Sequence, residues 1–187
     1  MVSVTQLIFA IVGSAVAVFV ASSLIHMVFK WHNKDYRGFA NEDAVRAAIK
    51  ASSPEPGQYV VPYCADMKDM AKPEVQQKYV EGPIGFMMVM RNGTPKMGPM
   101  LGQWFVLSLV VAAVAGYLAS RTVPAGASFL AVARVVSLVT FVAYATGGLS
   151  YAIWFGRPWA AAAKDLLDAF IYGLVTACVF GLLWPAS

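Results

Sequence analysis

The sequence predicts an all-α membrane protein, a four-helix transmembrane bundle with a small α+β extramembrane insert between helices 1 and 2. Hydrophobic residues make up 59% of its 187 residues and charged residues only 13%, whereas a soluble domain carries about 25% charged residues. Four apolar runs approach or exceed the ~20 residues that a helix needs to cross the hydrocarbon core of a membrane. All charged residues lie between Lys30 and Lys96 except Arg121, Arg134, Arg157, Lys164, Asp165 and Asp168. This distribution separates one water-facing segment from an apolar remainder.

The four apolar runs define the predicted spans. They cover residues 4–29, 101–118, 135–154 and 166–184. The first run has no positive charge before it and exceeds the 7–15 apolar residues of a signal peptide, so we expect an uncleaved anchor. Pro124 and Gly126 predict a tight turn between spans two and three, and Gly156-Arg157-Pro158 predicts a break between spans three and four. The predicted organisation is therefore helix 1 in residues 1–29, the insert in 30–98 and helices 2–4 in 99–187.

Small residues recur at four-residue intervals in three of these spans, as Gly13, Ala17 and Ala21, as Ser108, Ala112, Gly116 and Ser120, and as Ala169, Gly173, Ala177 and Gly181. Such stripes let helix backbones approach closely in lipid, where apolar surface alone drives little association. We interpret them as packing surfaces inside the bundle rather than as a dimer face.

The positions of Lys and Arg predict the orientation. The cytoplasmic ends of membrane helices are enriched in these residues. Seven of them flank the insert or join spans three and four, namely Lys30, Lys34, Arg37, Arg91, Lys96, Arg157 and Lys164. The opposite side has Arg121, with Arg134 at the boundary. The insert is therefore expected in the cytoplasm, with both termini outside.

The insert has the pattern of a small folded cap. Asn41 followed by Glu42 and Asp43 predicts a helix start, and the apolar pattern continues to residue 51. Residues 58–63 and 85–90 are candidate strands, and residues 72–80 a candidate second helix with Pro73 in its first turn. Two short helices and two short strands predict an α+β cap.

Histidine is rare, since the chain has only His26 and His32. His26 lies in the first span, about one turn from its predicted cytoplasmic end. Asp168 lies at a similar depth in the fourth span and is a plausible hydrogen-bonding partner. We predict that the side chains of His26 and Asp168 approach each other as a polar pair. A separation of more than ~8 Å would exclude the pair, since a direct bond needs about 3 Å. No organic cofactor is predicted.

Sulfur ligands suggest a second candidate site in the insert. Cys64, Met67 and Met70 follow one another at three-residue spacing. Thiolate and thioether ligands select Cu(I), so these residues form a candidate copper site. The alternative is that the methionines fill irregular apolar gaps.

No catalytic motif of a hydrolase, transferase or nucleotide-binding enzyme is present, and the dispersed net charge of +4 argues against a nucleic-acid partner. The favoured function is a non-catalytic accessory or assembly component of a membrane complex, with the lipid bilayer and other membrane subunits as partners. Two alternatives stay open. One is a copper-binding protein that uses the Cys/Met cluster, and the other is a carrier or enzyme for a small lipophilic molecule, bound near His26, Trp154 or Trp159.

Several local motifs are distinctive as a set. They are Pro56-Gly57-Gln58-Tyr59 with Pro62 and Cys64, Gly82-Pro83-Ile84-Gly85, Ile153-Trp154-Phe155-Gly156-Arg157-Pro158-Trp159, and Phe180-Gly181-Leu182-Leu183-Trp184-Pro185. With these motifs the chain resembles a group of small, uncharacterised bacterial inner-membrane proteins with four predicted transmembrane helices. The resemblance implies a multi-pass protein of a bacterial inner membrane and carries over no catalytic residue.

Overall fold

The computed structural model describes residues 2–186 and divides the chain into two compact units. The first unit joins Met1–Tyr36 to Lys96–Ser187, and the second is Arg37–Pro95. The predicted insert began at Lys30, whereas the segment up to Tyr36 belongs to the unit of long helices. This difference matters because it transfers His32 and Asp35 from the expected cap to the helical unit.

Four helical segments of the first unit are long and apolar enough to cross a membrane, as predicted. The first is Val4–Phe29, which contains α1 (Ile8–Ser23). The short helices α2 (Glu42–Ala51) and α3 (Pro73–Glu81) come next in the chain and belong to the second unit. The other three long segments are α4 (Met97–Thr122), α5 (Phe129–Phe155) and α6 (Trp159–Leu182). The chain is therefore a four-helix membrane protein. α1 packs against α4 and α6, and α5 packs against α4 and, most extensively, α6. The bundle is thus closed, with each helix lying between two others.

Small residues line the interior of the bundle. Ser108, Ala112 and Ser120 of α4 and Ala169 and Ala177 of α6 are each at most 5% exposed. Large apolar side chains point outward instead, for example Phe9 and Leu138 at 79% and 62% exposed. A membrane protein needs this arrangement, because lipid solvates apolar side chains and close backbone packing holds the helices together. The predicted stripes of α4 and α6 are therefore internal packing surfaces.

The second unit contains two short helices, α2 (Glu42–Ala51) and α3 (Pro73–Glu81), and two strands, β1 (Gly57–Val61) and β2 (Gly85–Val89). The strands pair antiparallel, with Tyr59 opposite Met87 and Gln58 opposite Met88. Asn41 caps α2 by accepting a hydrogen bond from the backbone N–H of Ala44. The predicted α+β composition of the insert is confirmed.

Gly173 lies at a close backbone approach between α5 and α6. A Cβ atom at this position would lie 3.0 Å from the carbonyl oxygen of Ser137, which is backbone and cannot rotate away. We expect Gly173→Ala to lower the apparent melting temperature in detergent by a few degrees, equivalent to about 1 kcal/mol or more of overpacking strain. The measurement is thermal unfolding of the purified protein followed by circular dichroism.

Gly147→Ala is the matched control, because a Cβ atom there meets nothing within 4 Å. Alanine also has the higher helix propensity, by about 1 kcal/mol. The control should therefore unfold at the same or a higher temperature. Equal effects of the two substitutions would contradict the assignment of Gly173 to a tight helix contact.

Candidate metal centre

The end of the first span departs from regular α-helix. Residues Leu24–Phe29 form a wider π-helical turn, in which the backbone N–H of Lys30 bonds to the carbonyl of Ile25 at 3.1 Å. Lys30 then adopts a left-handed conformation with φ of 54°, and a 3₁₀ turn follows at Trp31–Asp35. π-helical turns are rare and are often found at functional sites. Here the turn carries His26, and the reversal at Lys30 brings His32 back over it.

The two histidines are stacked. Their ring centroids are 4.8 Å apart and their planes differ by 8°. Asp168 of α6 contacts both rings, since its Oδ2 atom lies 2.9 Å from Nε2 of His32 and 3.9 Å from Nε2 of His26. The structure thus brings His26 and Asp168 within the predicted distance, and it adds His32, which the sequence analysis had placed in the cap.

Both imidazoles use their Nδ1 atoms elsewhere. Nδ1 of His26 lies 3.0 Å from the carbonyl oxygen of Ser22, so this nitrogen carries the proton and donates it. Nδ1 of His32 lies 2.9 Å from Oδ2 of Asp35. A neutral imidazole has one N–H donor and one lone pair. In the tautomer with the proton on Nδ1, each ring has its lone pair on Nε2, on the side of Asp168.

Asp168 is almost wholly buried, with 7% of its side chain exposed. Its second oxygen, Oδ1, has no hydrogen-bond partner among the described residues. A buried carboxylate oxygen without a partner is costly, because it has lost water and gained nothing in return. This oxygen is open to a further positive or hydrogen-bonding group.

Lys164 and Asp35 lie beside His32, at the 3₁₀ turn. The ammonium group of Lys164 donates to the carbonyl oxygen of Trp31 at 2.8 Å and also bonds to Oδ1 of Asp35. It therefore contacts the first and last residues of the Trp31–Asp35 turn. The Lys164 ammonium, followed by the hydrogen bond from His32, holds the pKa of Asp35 below its usual value of 3.8, against the opposing effect of burial. Asp35 is thus an anion beside His32.

An ion pair joins the α5–α6 connection to α6. Arg157 makes two hydrogen bonds to the carboxylate of Asp165, one of them 3.0 Å long between Nη2 and Oδ1. The Asp165 carboxylate raises the pKa of Arg157, so the guanidinium is fully charged. Asp165 and Asp168 lie beside the start of the fourth apolar run at residue 166, which suggests that a helix dipole stabilises them. α6 begins at Trp159, so both lie beyond the first turn, where a helix dipole has little effect, and side-chain partners account for them.

His26, His32 and Asp168 each offer one ligand atom, and these three atoms all lie within 4.8 Å of one another. Two ligands of a tetrahedral zinc ion are about 3.4 Å apart, since zinc lies about 2.0–2.1 Å from each. The observed separations exceed this value by about 1.4 Å at most, and one of the two stacked rings must also rotate before both Nε2 lone pairs can point at the same ion. Two imidazoles and one carboxylate also form a common ligand set for zinc and iron.

No known protein family matches this chain. A scan of family models finds no match, and neither the curated proteins nor the solved structures contain a significant match. The resemblance to small bacterial inner-membrane proteins therefore stays a prediction.

The other candidate residues lie elsewhere. Cys64 of the second unit donates its thiol to the carbonyl oxygen of Asp66 at 3.1 Å, and Met67 is 79% exposed, while Met70 is half-buried. Among the described residues 2–186, Cys64 does not belong to any group of three His, Cys, Asp or Glu side chains whose ligand atoms are close enough to hold one metal ion. Copper binding by Cys64, Met67 and Met70 stays a prediction. Trp154 and Trp159, suggested for a lipophilic ligand, are 75% and 63% exposed.

Sequence reasoning missed His32, Asp35 and Lys164 as members of the site. His32 and Asp35 were assigned to the cap because they follow the end of the apolar run. One available signal was their spacing, since His32 and Asp35 are three residues apart and a single helical turn brings such residues together. The left-handed turn at Lys30, a non-glycine residue, has no clear sequence signature.

Proposed function

We propose that this chain is a multi-pass membrane protein that binds a divalent first-row transition-metal ion, with His26, His32 and Asp168 as ligands. The observation that carries the proposal is that the Nε2 atoms of both histidines lie near Oδ2 of Asp168, while both Nδ1 atoms already have acceptors. Because the two rings are stacked in nearly parallel planes, binding of one ion by both requires one ring to rotate. Imidazole ligands suit zinc, iron, nickel and copper better than magnesium or calcium, which prefer oxygen ligands.

A direct hydrogen-bond network is the competing explanation for this cluster. Without an ion, the contact of His32 to Asp168 needs a proton between Nε2 and Oδ2, carried either by the imidazole or by the carboxyl group of Asp168. That arrangement gives no partner to Oδ1 of Asp168 and none to Nε2 of His26 within hydrogen-bonding distance, since Asp168 lies 3.9 Å away. A bound ion would engage all three side chains at once, whereas the network leaves His26 3.9 Å from Asp168.

The test is metal binding by the intact protein, purified in mild detergent and freed of metal with a chelator. We expect one equivalent of Zn²⁺ or Co²⁺ to bind, detected by elemental analysis and by the visible absorption of Co²⁺. His26→Ala should weaken binding by more than about tenfold, because outer-sphere substitutions alone cost 10–100-fold. His26 is half-exposed, so this substitution should leave the fold intact. Wild-type protein that binds no ion under these conditions would refute the proposal.

Partner binding by the second unit is a second candidate function. Its two-stranded sheet exposes apolar side chains on both faces, including Val61 at 52% and Met88 at 60%. Isolated two-stranded sheets are marginally stable in water, so such a sheet gains stability when another surface covers it. This favours the accessory or assembly role in a membrane complex. Purification from native membranes in mild detergent tests it, since a stoichiometric partner is expected and recovery of the chain alone would count against it.

The cellular setting follows from the sequence pattern. The distribution of Lys and Arg supports a cytoplasmic insert with both termini outside, and the resemblance of the motifs supports a bacterial inner membrane. The metal site would then lie at the cytoplasmic surface, because His32 and Asp35 precede the insert directly. A reporter enzyme fused to the C terminus, active only outside the cytoplasm, is expected to be active.

A further inference from the structure

The orientation of His32 depends on contacts to both of its ring nitrogens. Nδ1 faces Asp35 and Nε2 faces Asp168, each at 2.9 Å, and only 13% of the side chain is exposed. A metal ligand must offer a lone pair at the coordinating nitrogen. If Nε2 coordinates, the proton has to be on Nδ1, and an acceptor at Nδ1 favours that tautomer.

Asp35 is itself held in place. Its two carboxylate oxygens have separate roles, because Oδ1 bonds to Lys164 and Oδ2 to His32. Lys164 also bonds to the carbonyl of Trp31, so the ammonium group fixes both ends of the turn that carries His32. The Asp35 side chain is 11% exposed, which keeps water from competing strongly for Oδ2. The carboxylate is therefore a preorganised acceptor.

We infer that Asp35, anchored by Lys164, is the positioning residue that keeps His32 in the Nδ1–H tautomer and directs its Nε2 lone pair to the metal ion. The inference rests on the proposed metal site. A carboxylate that accepts the second N–H of a metal-bound imidazole fixes the ring orientation and raises the basicity of the ligand.

His26 offers an internal comparison. Its Nδ1 donor bonds to the backbone carbonyl of Ser22, which no side-chain substitution removes. Trp104 reinforces this region by donating its indole N–H to Oγ of Ser22 at 2.8 Å. Substitution of Asp35 should therefore affect the tautomer of His32 and leave that of His26 unchanged.

The experiment compares Asp35→Ala, Asp35→Asn and wild-type protein in Co²⁺ and Zn²⁺ titrations of the full chain in detergent. We expect Asp35→Ala to weaken binding 10–100-fold. Asp35→Asn should have an intermediate effect, because the amide oxygen can still accept from Nδ1 of His32. Asp69→Asn is the matched control. Asp69 pairs with Lys72, three residues away, just as Asp35 pairs with His32, but the Asp69 pair lies on the exposed surface of the second unit. It should bind both ions as wild type does.

A spectroscopic measurement reports the tautomer directly. The chain has two histidines, so protein labelled with ¹⁵N-histidine gives two ring spin systems, and His26→Ala assigns them. In the Zn²⁺-bound wild-type protein we expect His32 to coordinate through Nε2 and to carry its proton on Nδ1. In Asp35→Ala the Nδ1–H signal of His32 should shift and exchange faster with water, while the signals of His26 stay unchanged.

The outcomes separate the inference from the proposed function. Wild-type protein that binds neither ion would overturn both. If wild type binds and Asp35→Ala binds within about twofold of it, the metal site stands and the role of Asp35 is wrong. If Asp35→Ala fails to fold, the wild-type spectrum still decides, because coordination of Zn²⁺ through Nδ1 of His32 would overturn the inference without any variant.

Discussion

Asp168→Asn is expected to lower the affinity for the metal ion at least about 100-fold relative to wild type. Asp168 supplies the only charged group among the three proposed ligands of the described site, and its Oδ2 atom lies 2.9 Å from Nε2 of His32 and 3.9 Å from Nε2 of His26. Asparagine keeps the shape and removes the charge, and a neutral amide is a poor ligand for a transition metal. The loss should exceed the 10–100-fold of an outer-sphere substitution.

Thermal unfolding with and without Zn²⁺ measures the same effect independently. A ligand at 100 times its Kd stabilises a folded protein by about 2.7 kcal/mol, so Zn²⁺ should raise the apparent melting temperature of wild type and not that of Asp168→Asn. Asp165→Asn is the control, since Asp165 lies three residues earlier on α6 and pairs with Arg157 instead of the histidines. Its metal affinity should match wild type. Full binding by Asp168→Asn would remove Asp168 from the site.

Arg157→Leu is expected to destabilise the bundle by about 2–3 kcal/mol. The substitution leaves the carboxylate of Asp165, which is 24% exposed, without a cation, and an unpaired, largely buried charge is strongly destabilising. The local backbone is adapted to this pair. A Cβ atom at Gly148 would collide with the Asp165 carboxylate and approach Nη1 of Arg157 to 3.3 Å. Urea or thermal unfolding in detergent gives the measurement.

The double variant Arg157→Leu/Asp165→Leu separates loss of an ion pair from loss of packing. Removing both charges should recover most of the stability, because replacing a whole buried pair with apolar residues is often neutral or stabilising. Arg46→Leu serves as the control, since its contact to Asp43 is on the surface, with the two side chains 72% and 97% exposed. It should leave the unfolding transition unchanged. A double variant as unstable as Arg157→Leu would contradict the explanation by an unpaired charge.

Particular residues show how far sequence patterns predict this site. His26 and Asp168 were paired because both are polar residues at similar depth in apolar runs, and depth can be counted from the helix rise of 1.5 Å per residue. His32 was assigned to the cap because the apolar run ends at Phe29. Its actual position depends on the π-helical turn and on the left-handed conformation of Lys30. Lys164 and Asp165 are neighbours in the sequence, yet Lys164 bonds to Asp35 and Asp165 to Arg157.

The class of this protein, its four apolar helices, the composition of the insert and the small residues at the helix contacts can all be predicted from local sequence patterns. These features follow from the length, periodicity and composition of local segments, which each segment carries independently of the others. The grouping of His32 and Asp35 with His26 and Asp168, with Lys164 beside them, becomes visible in the folded chain alone. That result depends on a chain reversal and on the packing of α1 against α6, because contacts between residues more than 100 positions apart are set by the fold and not by local spacing.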